Sequence, residues 1–150
     1  MLRKSMLLII LLSGLSNNAF SQLELKTFPI ALLFEVIPID VEYGFKEDLS
    51  VDGSFLGVLD EGVLFDVGVR YYFNPSDKKC DKFFVAGFLG GGTDYGLGPG
   101  FGTGYKWLSR RNLIIEIGIG VGRAYGSDIE EVYPWGRLHL GYRFGPKAKE

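Results

Sequence analysis

The sequence predicts an all-β protein, an eight-stranded antiparallel up-and-down transmembrane β-barrel, on three observations. Behind a short apolar leader no segment keeps a helical apolar period, whereas segments that alternate apolar and polar residues recur about every 8 to 16 residues between polar turns. Eight such segments can be drawn, each close to the ~9 to 11 residues that a tilted strand needs to cross hydrocarbon. Aromatic residues gather at the segment ends, where rings that favour the headgroup level of a bilayer belong.

The leader comes first. Arg3 and Lys4 precede an apolar run from Met6 to Leu12, and a polar stretch then ends in Ala19-Phe20-Ser21 before Gln22. A charged start, a short apolar run and small residues at the end describe a secretory signal peptide over 1–21. The run falls short of the ~20 residues that a membrane-anchoring helix requires. The barrel is then expected over 22–144 and a short polar C-terminal tail over 145–150. Without the leader, 14 basic residues face 18 acidic ones, a balance that gives no reason to propose a nucleic-acid partner. Cys80 is the only cysteine, so it forms no internal disulfide, and it reads as an incidental thiol in a turn.

The segments follow in order. The first runs roughly from Leu23 to Phe34, where Pro29 interrupts the pattern and Ile30 to Phe34 is apolar throughout. The second, Ile37 to Phe45, sets Ile37, Ile39, Val41, Tyr43 and Phe45 against Pro38, Asp40, Glu42 and Gly44. The third, Leu49 to Gly57, sets Leu49, Val51 and Phe55 against Ser50, Asp52 and Ser54. The fourth, Val63 to Phe73, alternates most cleanly, with Asp66, Gly68 and Arg70 opposite Val67, Val69, Tyr71 and Phe73. Asn74-Pro75-Ser76-Asp77 then has turn chemistry.

Lys82 to Gly91 is apolar on both faces, which leaves its orientation open. Leu97 to Leu108 sets Phe101, Thr103, Tyr105 and Trp107 against Gly98, Gly100, Gly102, Gly104 and Lys106. Ser109-Arg110-Arg111-Asn112 joins it as a tight hairpin to Leu113 to Gly122, where four isoleucine and valine positions oppose Glu116, Gly118, Gly120 and Gly122. The last segment, Val132 to Phe144, sets Trp135 and, after a slip at Gly136, Leu138, Leu140, Tyr142 and Phe144 against Arg137, His139, Gly141 and Arg143.

Period-two patterning alone also suits a soluble ligand-carrier barrel, with its apolar face inward. Two features favour lipid on the apolar side. The polar face is poor in lysine and rich in Gly, Asp, Glu and Arg, which suits a crowded, mutually paired interior better than a solvated exterior. Aromatic belts are expected at Phe45, Tyr71, Phe73, Tyr105 and Trp107 on one side and at Tyr133 and Trp135 on the other.

These residues resemble a known class. The leader, eight alternating segments and a final strand running Leu138-x-Leu140-x-Tyr142-x-Phe144 are similar to the small outer-membrane β-barrels of the OmpA/OmpX type. The resemblance implies location in a bacterial outer membrane among its lipids. It also implies that Leu138, Leu140, Tyr142 and Phe144 form the strand read by the barrel-assembly machinery. Gly145 to Glu150 follow Phe144 here, whereas the family usually ends at the aromatic.

Candidate interior residues are Asp40, Glu42, Asp52, Asp66 and Glu116 against Arg70, Lys106, Arg137, Arg143 and His139. An eight-stranded barrel is just wide enough for its side chains to fill it, and buried charges must pair, so these residues are expected to plug the lumen. One histidine excludes a multi-histidine metal site, and a Ser-His-acid arrangement would need His139 itself, far down its strand from Ser127 and Asp128. The glycines match no phosphate-binding motif, and no cofactor is expected. Gly98 to Gly104 beside Gly118 to Gly122 form an inner wall that leaves room for Arg and Tyr side chains or for a small cavity.

The sequence therefore predicts a non-enzymatic monomeric barrel with a structural role or a surface ligand bound through the outer loops 56–62, 93–96 and 123–131. The alternative is a narrow pore or small-ligand conduit along the glycine wall. A lipid-modifying enzyme and a soluble carrier follow behind.

Overall fold

Alternate side chains of every strand point to opposite sides of one closed sheet. In the computed structural model, residues 22–58, 62–93, 96–126 and 131–145 are described. They form a closed barrel of eight strands paired antiparallel in chain order: β1 (Gln22–Thr27), β2 (Val36–Gly44), β3 (Leu49–Val58), β4 (Gly62–Tyr72), β5 (Lys82–Gly92), β6 (Gly98–Leu108), β7 (Leu113–Ala124) and β8 (Glu131–Phe144). The seam pairs Leu23 with Phe144, Leu25 with Tyr142 and Thr27 with Leu140. The expected signal peptide at 1–21 and tail residues 146–150 lie outside the described residues. So do 59–61, 94–95 and 127–130 of the loops.

The first segment departs from expectation. Its strand stops at Thr27, and Ala31–Phe34 forms a 3₁₀ helix ahead of β2. Pro29 has a fixed φ and no N–H for the ladder, so the run behind it curls into a turn at the rim. There Leu33 and Phe34 are exposed. We call this rim, which also carries the β3–β4, β5–β6 and β7–β8 connections, the upper one; Gln22 and Phe144 lie at the lower.

The two faces of the wall have opposite chemistry. Leu25, Ile39, Val51, Val67, Val85, Ile117 and Leu140 point outward and are exposed, joined at the lower rim by Phe45, Tyr71, Phe73, Trp107, Tyr142 and Phe144. Inward lie nearly all the charges of the strands, most of them under 5% exposed. The orientation of β5 is resolved as well: Phe84, Ala86 and Phe88 are buried inside, while Phe83, Val85 and Leu89 face out.

Two aromatic assignments are corrected. Trp135 and Tyr133 do not belong to an outer belt: the indole is 8% exposed and part of the interior cluster, and Tyr133 packs against that cluster. No slip occurs at Gly136. The β7–β8 register runs unbroken through Gly120↔Trp135, Ile119↔Gly136 and Gly118↔Arg137, which puts Trp135 on the same face as Arg137 and His139 and turns Gly136 outward.

Glycine makes that placement possible. The wall of β6 and β7 is covered by rings from the neighbouring strands: a Cβ at Gly102 would lie 2.6 Å from Trp135 Cζ3, one at Gly104 2.6 Å from Phe84 Cζ, and one at Gly118 3.2 Å from Trp135 Cζ3. The space is filled by Phe84, Phe88, Trp135 and Tyr133, rather than by arginine and tyrosine from the opposite wall. Phe88 stacks on Trp135, with centroids 5.3 Å apart and planes at 18°, and Arg137 lies over the indole at 4.5 Å.

Overpacking a well-filled core costs about 1–3 kcal/mol, so Gly102→Leu should lower the unfolding free energy by that amount in a urea titration of the detergent-folded barrel. Gly87→Ala, whose new methyl would meet nothing within 4 Å, should change it by less than about 0.5 kcal/mol.

Candidate functional site

The interior is organised as a stack of ion pairs built from every strand except β5. At its centre the Arg70 guanidinium, from β4, is fully buried. Its Nη1 donates to Glu42 Oε2 at 3.0 Å and to both carboxylate oxygens of Glu116 at 2.9 Å, and its Nη2 donates to Asp52 Oδ2 at 2.9 Å. The ring of Phe84 covers it at 4.9 Å. Four carboxylate oxygens and an aromatic face thus replace the water this cation has lost, which is what a buried charge requires.

The lower part of the network adds two residues missed in the sequence. Glu24 and Lys26 of β1 are each 1% exposed. Lys26 Nζ donates to Glu42 at 2.6 Å and Glu116 at 2.9 Å and lies 3.0 Å from Asp40. Lys106 Nζ links Glu24 and Glu42 at 2.8 Å each and sits over the Tyr72 ring at 4.6 Å. Tyr72 Oη and Ser50 Oγ donate to the remaining lone pairs of Glu42, at 2.6 and 2.7 Å. The signal was present: Leu23-Glu24-Leu25-Lys26 alternates with period two, but the alternation is short, and the proline at 29 and the apolar run beyond it break the pattern.

A floor lies at the lower end. The turn between β4 and β5 folds beneath the network, and three successive carbonyls, those of Lys78, Lys79 and Cys80, accept hydrogen bonds from the Arg143 guanidinium at 2.5, 3.0 and 3.0 Å. Lys79 and Cys80 both have positive φ, 61° and 42°, the conformation that turns these carbonyls toward one cation. Arg143 Nε meanwhile donates to Glu24 at 2.7 Å. Gln22 Nε2 reaches the Lys78 carbonyl at 3.1 Å, and the Cys80 N–H donates to Glu47 O at 2.8 Å. Cys80 is 1% exposed, and burial pushes its thiol up to about 12.

The upper part is more open. Arg137, from β8, is shared by three carboxylates, donating to Asp40, to Asp66 Oδ1 at 2.6 Å and lying 2.9 Å from Asp52 Oδ2. Ser54 Oγ donates to the other oxygen of Asp66. His139 is 7% exposed, with Nδ1 4.0 Å from Glu116 and without a hydrogen bond. Above them a cavity of about 510 Å³ opens at the upper rim, lined by Phe28, Leu56, Leu64, Phe88, Tyr133 and Trp135, with Asp40, Asp66, Arg137 and His139 at its base.

Asp40, Glu42, Asp52, Asp66, Arg70, Lys106, Glu116, Arg137, His139 and Arg143 thus share one interior. Ser127 and Asp128 lie outside the described residues. The outward side chains of Leu138, Leu140, Tyr142 and Phe144 are exposed on β8, on the face opposite this site.

No family model and no curated protein match the chain. Among solved structures, it is similar to the Yersinia pestis outer membrane protein Ail in a phospholipid bilayer nanodisc, at 16% sequence identity and a TM-score of 0.44, over 85% of this chain and 100% of that one.

Two outcomes follow from this geometry. Removing one member of a buried ion-pair network costs about 3–5 kcal/mol, so Arg70→Met should destabilise the folded barrel by that much in denaturant titration. Because only the thiolate reacts and burial keeps Cys80 protonated at neutral pH, maleimide should label it slowly in the folded protein and rapidly after unfolding, with folded-state labelling accelerating as pH rises.

Proposed function

We propose that the protein is an integral outer-membrane barrel, non-enzymatic, with an interior closed by paired side chains and a structural or surface-contact role. One observation carries this reading: the barrel wall is inverted relative to a soluble one. Val67 is 63% exposed and Ile119 70%, whereas Arg70 and Glu116 are wholly buried. Water would punish both halves of that arrangement, and hydrocarbon outside favours both. A closed sheet also leaves no strand edge whose N–H and C=O groups lipid could not satisfy.

Closure of the lumen is supported by the rings over the glycine wall, the ion pairs about Arg70 and the floor held by Arg143. The conduit alternative needs that stack displaced. The reading includes export by the leader at 1–21, insertion by an assembly machinery that reads Leu138, Leu140, Tyr142 and Phe144, and a monomeric state. The upper rim is then the outer surface, where the exposed Leu33, Phe34 and Tyr125 stand available for contact with a surface partner.

Cell fractionation tests the location: the protein should stay with the outer membrane and migrate faster unheated than boiled on a gel. Release in the soluble periplasmic fraction would sink the proposal. On the lipid-facing wall, Val67→Arg should cost about 2–4 kcal/mol in vesicles, as arginine does near the bilayer midplane. Inserted protein should be silent in planar-bilayer recordings, and steady conductance would restore the conduit reading.

A further inference from the structure

The cavity at the upper rim is a site of its own, and its charge is not neutral. Among the described residues the interior holds six carboxylates, Glu24, Asp40, Glu42, Asp52, Asp66 and Glu116, against five fixed cations, Lys26, Arg70, Lys106, Arg137 and Arg143. The surplus lies at the top. Asp40, Asp52 and Asp66 converge on the guanidinium of Arg137; Asp40 also meets Lys26 at 3.0 Å and Asp52 also meets Arg70 at 2.9 Å, whereas Asp66 meets no fixed cation but Arg137 among the described residues. Asp66 is the most accessible of the acids, its side chain 14% exposed against 2% for Asp40 and Asp52, and it lines the cavity.

Two further observations point to a ligand. Residues that line the cavity also carry buried polar atoms without hydrogen-bond partners: Nδ1 of His139, which is 7% exposed, the Tyr133 hydroxyl, which stands beside Gly90 and Asp66, Asp40 Oδ1 and Trp135 Nε1. The first three can accept a hydrogen bond, the imidazole when its proton is on Nε2. The walls are apolar, formed by Phe28, Leu56, Leu64, Phe88 and the Trp135 ring. A volume of about 510 Å³ with a few convergent polar groups on mainly apolar walls has the makings of a small-molecule pocket.

We infer that the cavity binds a small organic monocation, a primary ammonium on an aromatic or branched apolar body. The ammonium rests against Asp66, in the cavity that His139 and Tyr133 also line, and the apolar body lies along Leu56, Leu64 and Phe88. A monocation brings the interior to six charges of each sign. An anion meets the carboxylates at the base, and a neutral isostere leaves the surplus charge in place. The site is a property of the folded barrel and does not depend on which membrane holds it.

The test uses detergent-folded protein carrying Trp107→Phe, so that Trp135, one of two tryptophans, is the sole indole reporter. Titration with 2-phenylethylammonium should give a saturable fluorescence change, with 2-phenylethanol binding at least about tenfold more weakly, the worth of about one good charge contact, and 3-phenylpropionate giving no saturable change. Asp66→Asn should erase the preference for the ammonium over the alcohol. Absence of a saturable response to the ammonium, equal affinity for the alcohol, or an undiminished preference in folded Asp66→Asn overturns the inference. Should Asp66→Asn fail the unheated-gel test of folding, Leu56→Phe narrows the pocket without touching a charge. It should weaken the ammonium several-fold, and unchanged affinity would overturn the inference equally.

Discussion

A guanidinium with no access to water must find its counter-charges in protein, and the interior is arranged about that requirement at Arg70. Its partners come from β2, β3 and β7, and those carboxylates are held in turn by Lys26, Lys106 and Arg137 from β1, β6 and β8. No adjacent pair of strands could satisfy it. Closure of the sheet brings these side chains together, so the ladder of backbone hydrogen bonds and the network within it depend on one another. Deleting one charge leaves the rest facing a low-dielectric interior unpaired, and this is why such networks tolerate wholesale replacement better than single losses.

The aromatic half of the interior obeys a different constraint, that of volume. Rings of Phe84, Phe88 and Trp135 pack closely against β6 and β7 only because those strands present glycine inward at successive alternate positions. The glycines and rings form one packing unit, and Arg137 over the indole joins it to the ionic half. The interior is thus occupied by two components: charges from every strand but β5, and rings chiefly from β5 and β8 against the glycines of β6 and β7.

Much of this was legible in the sequence, because a strand between lipid and a polar lumen must alternate with period two, and residues such as Val67-Gly68-Val69-Arg70 announce both faces at once. The charges of β2, β3, β4 and β7 could be assigned inward for the same reason. What was not legible had a local cause each time. Pro29 ended β1 early and hid Glu24 and Lys26. Trp135 looked like a belt residue because a tryptophan near a strand end usually is one, and only the register against Gly120 shows the space prepared for it. The turn beneath the barrel carries no periodicity, so its seating under Arg143 could be seen only in three dimensions.

That seating ties together parts of the chain that are far apart in synthesis. The Lys78 carbonyl accepts from Gln22 of the first strand and from Arg143 of the last, so both sides of the seam grip the same peptide group. A chain that has paired β1 through β7 lacks Arg143 as an anchor for its floor, and the turn between β4 and β5 has only part of its support. Zipping of the seam and full anchoring of the turn therefore go together. The contacts that hold this turn are complete only once the last strand has found the first, so a fully anchored base is a structural record that the barrel has closed.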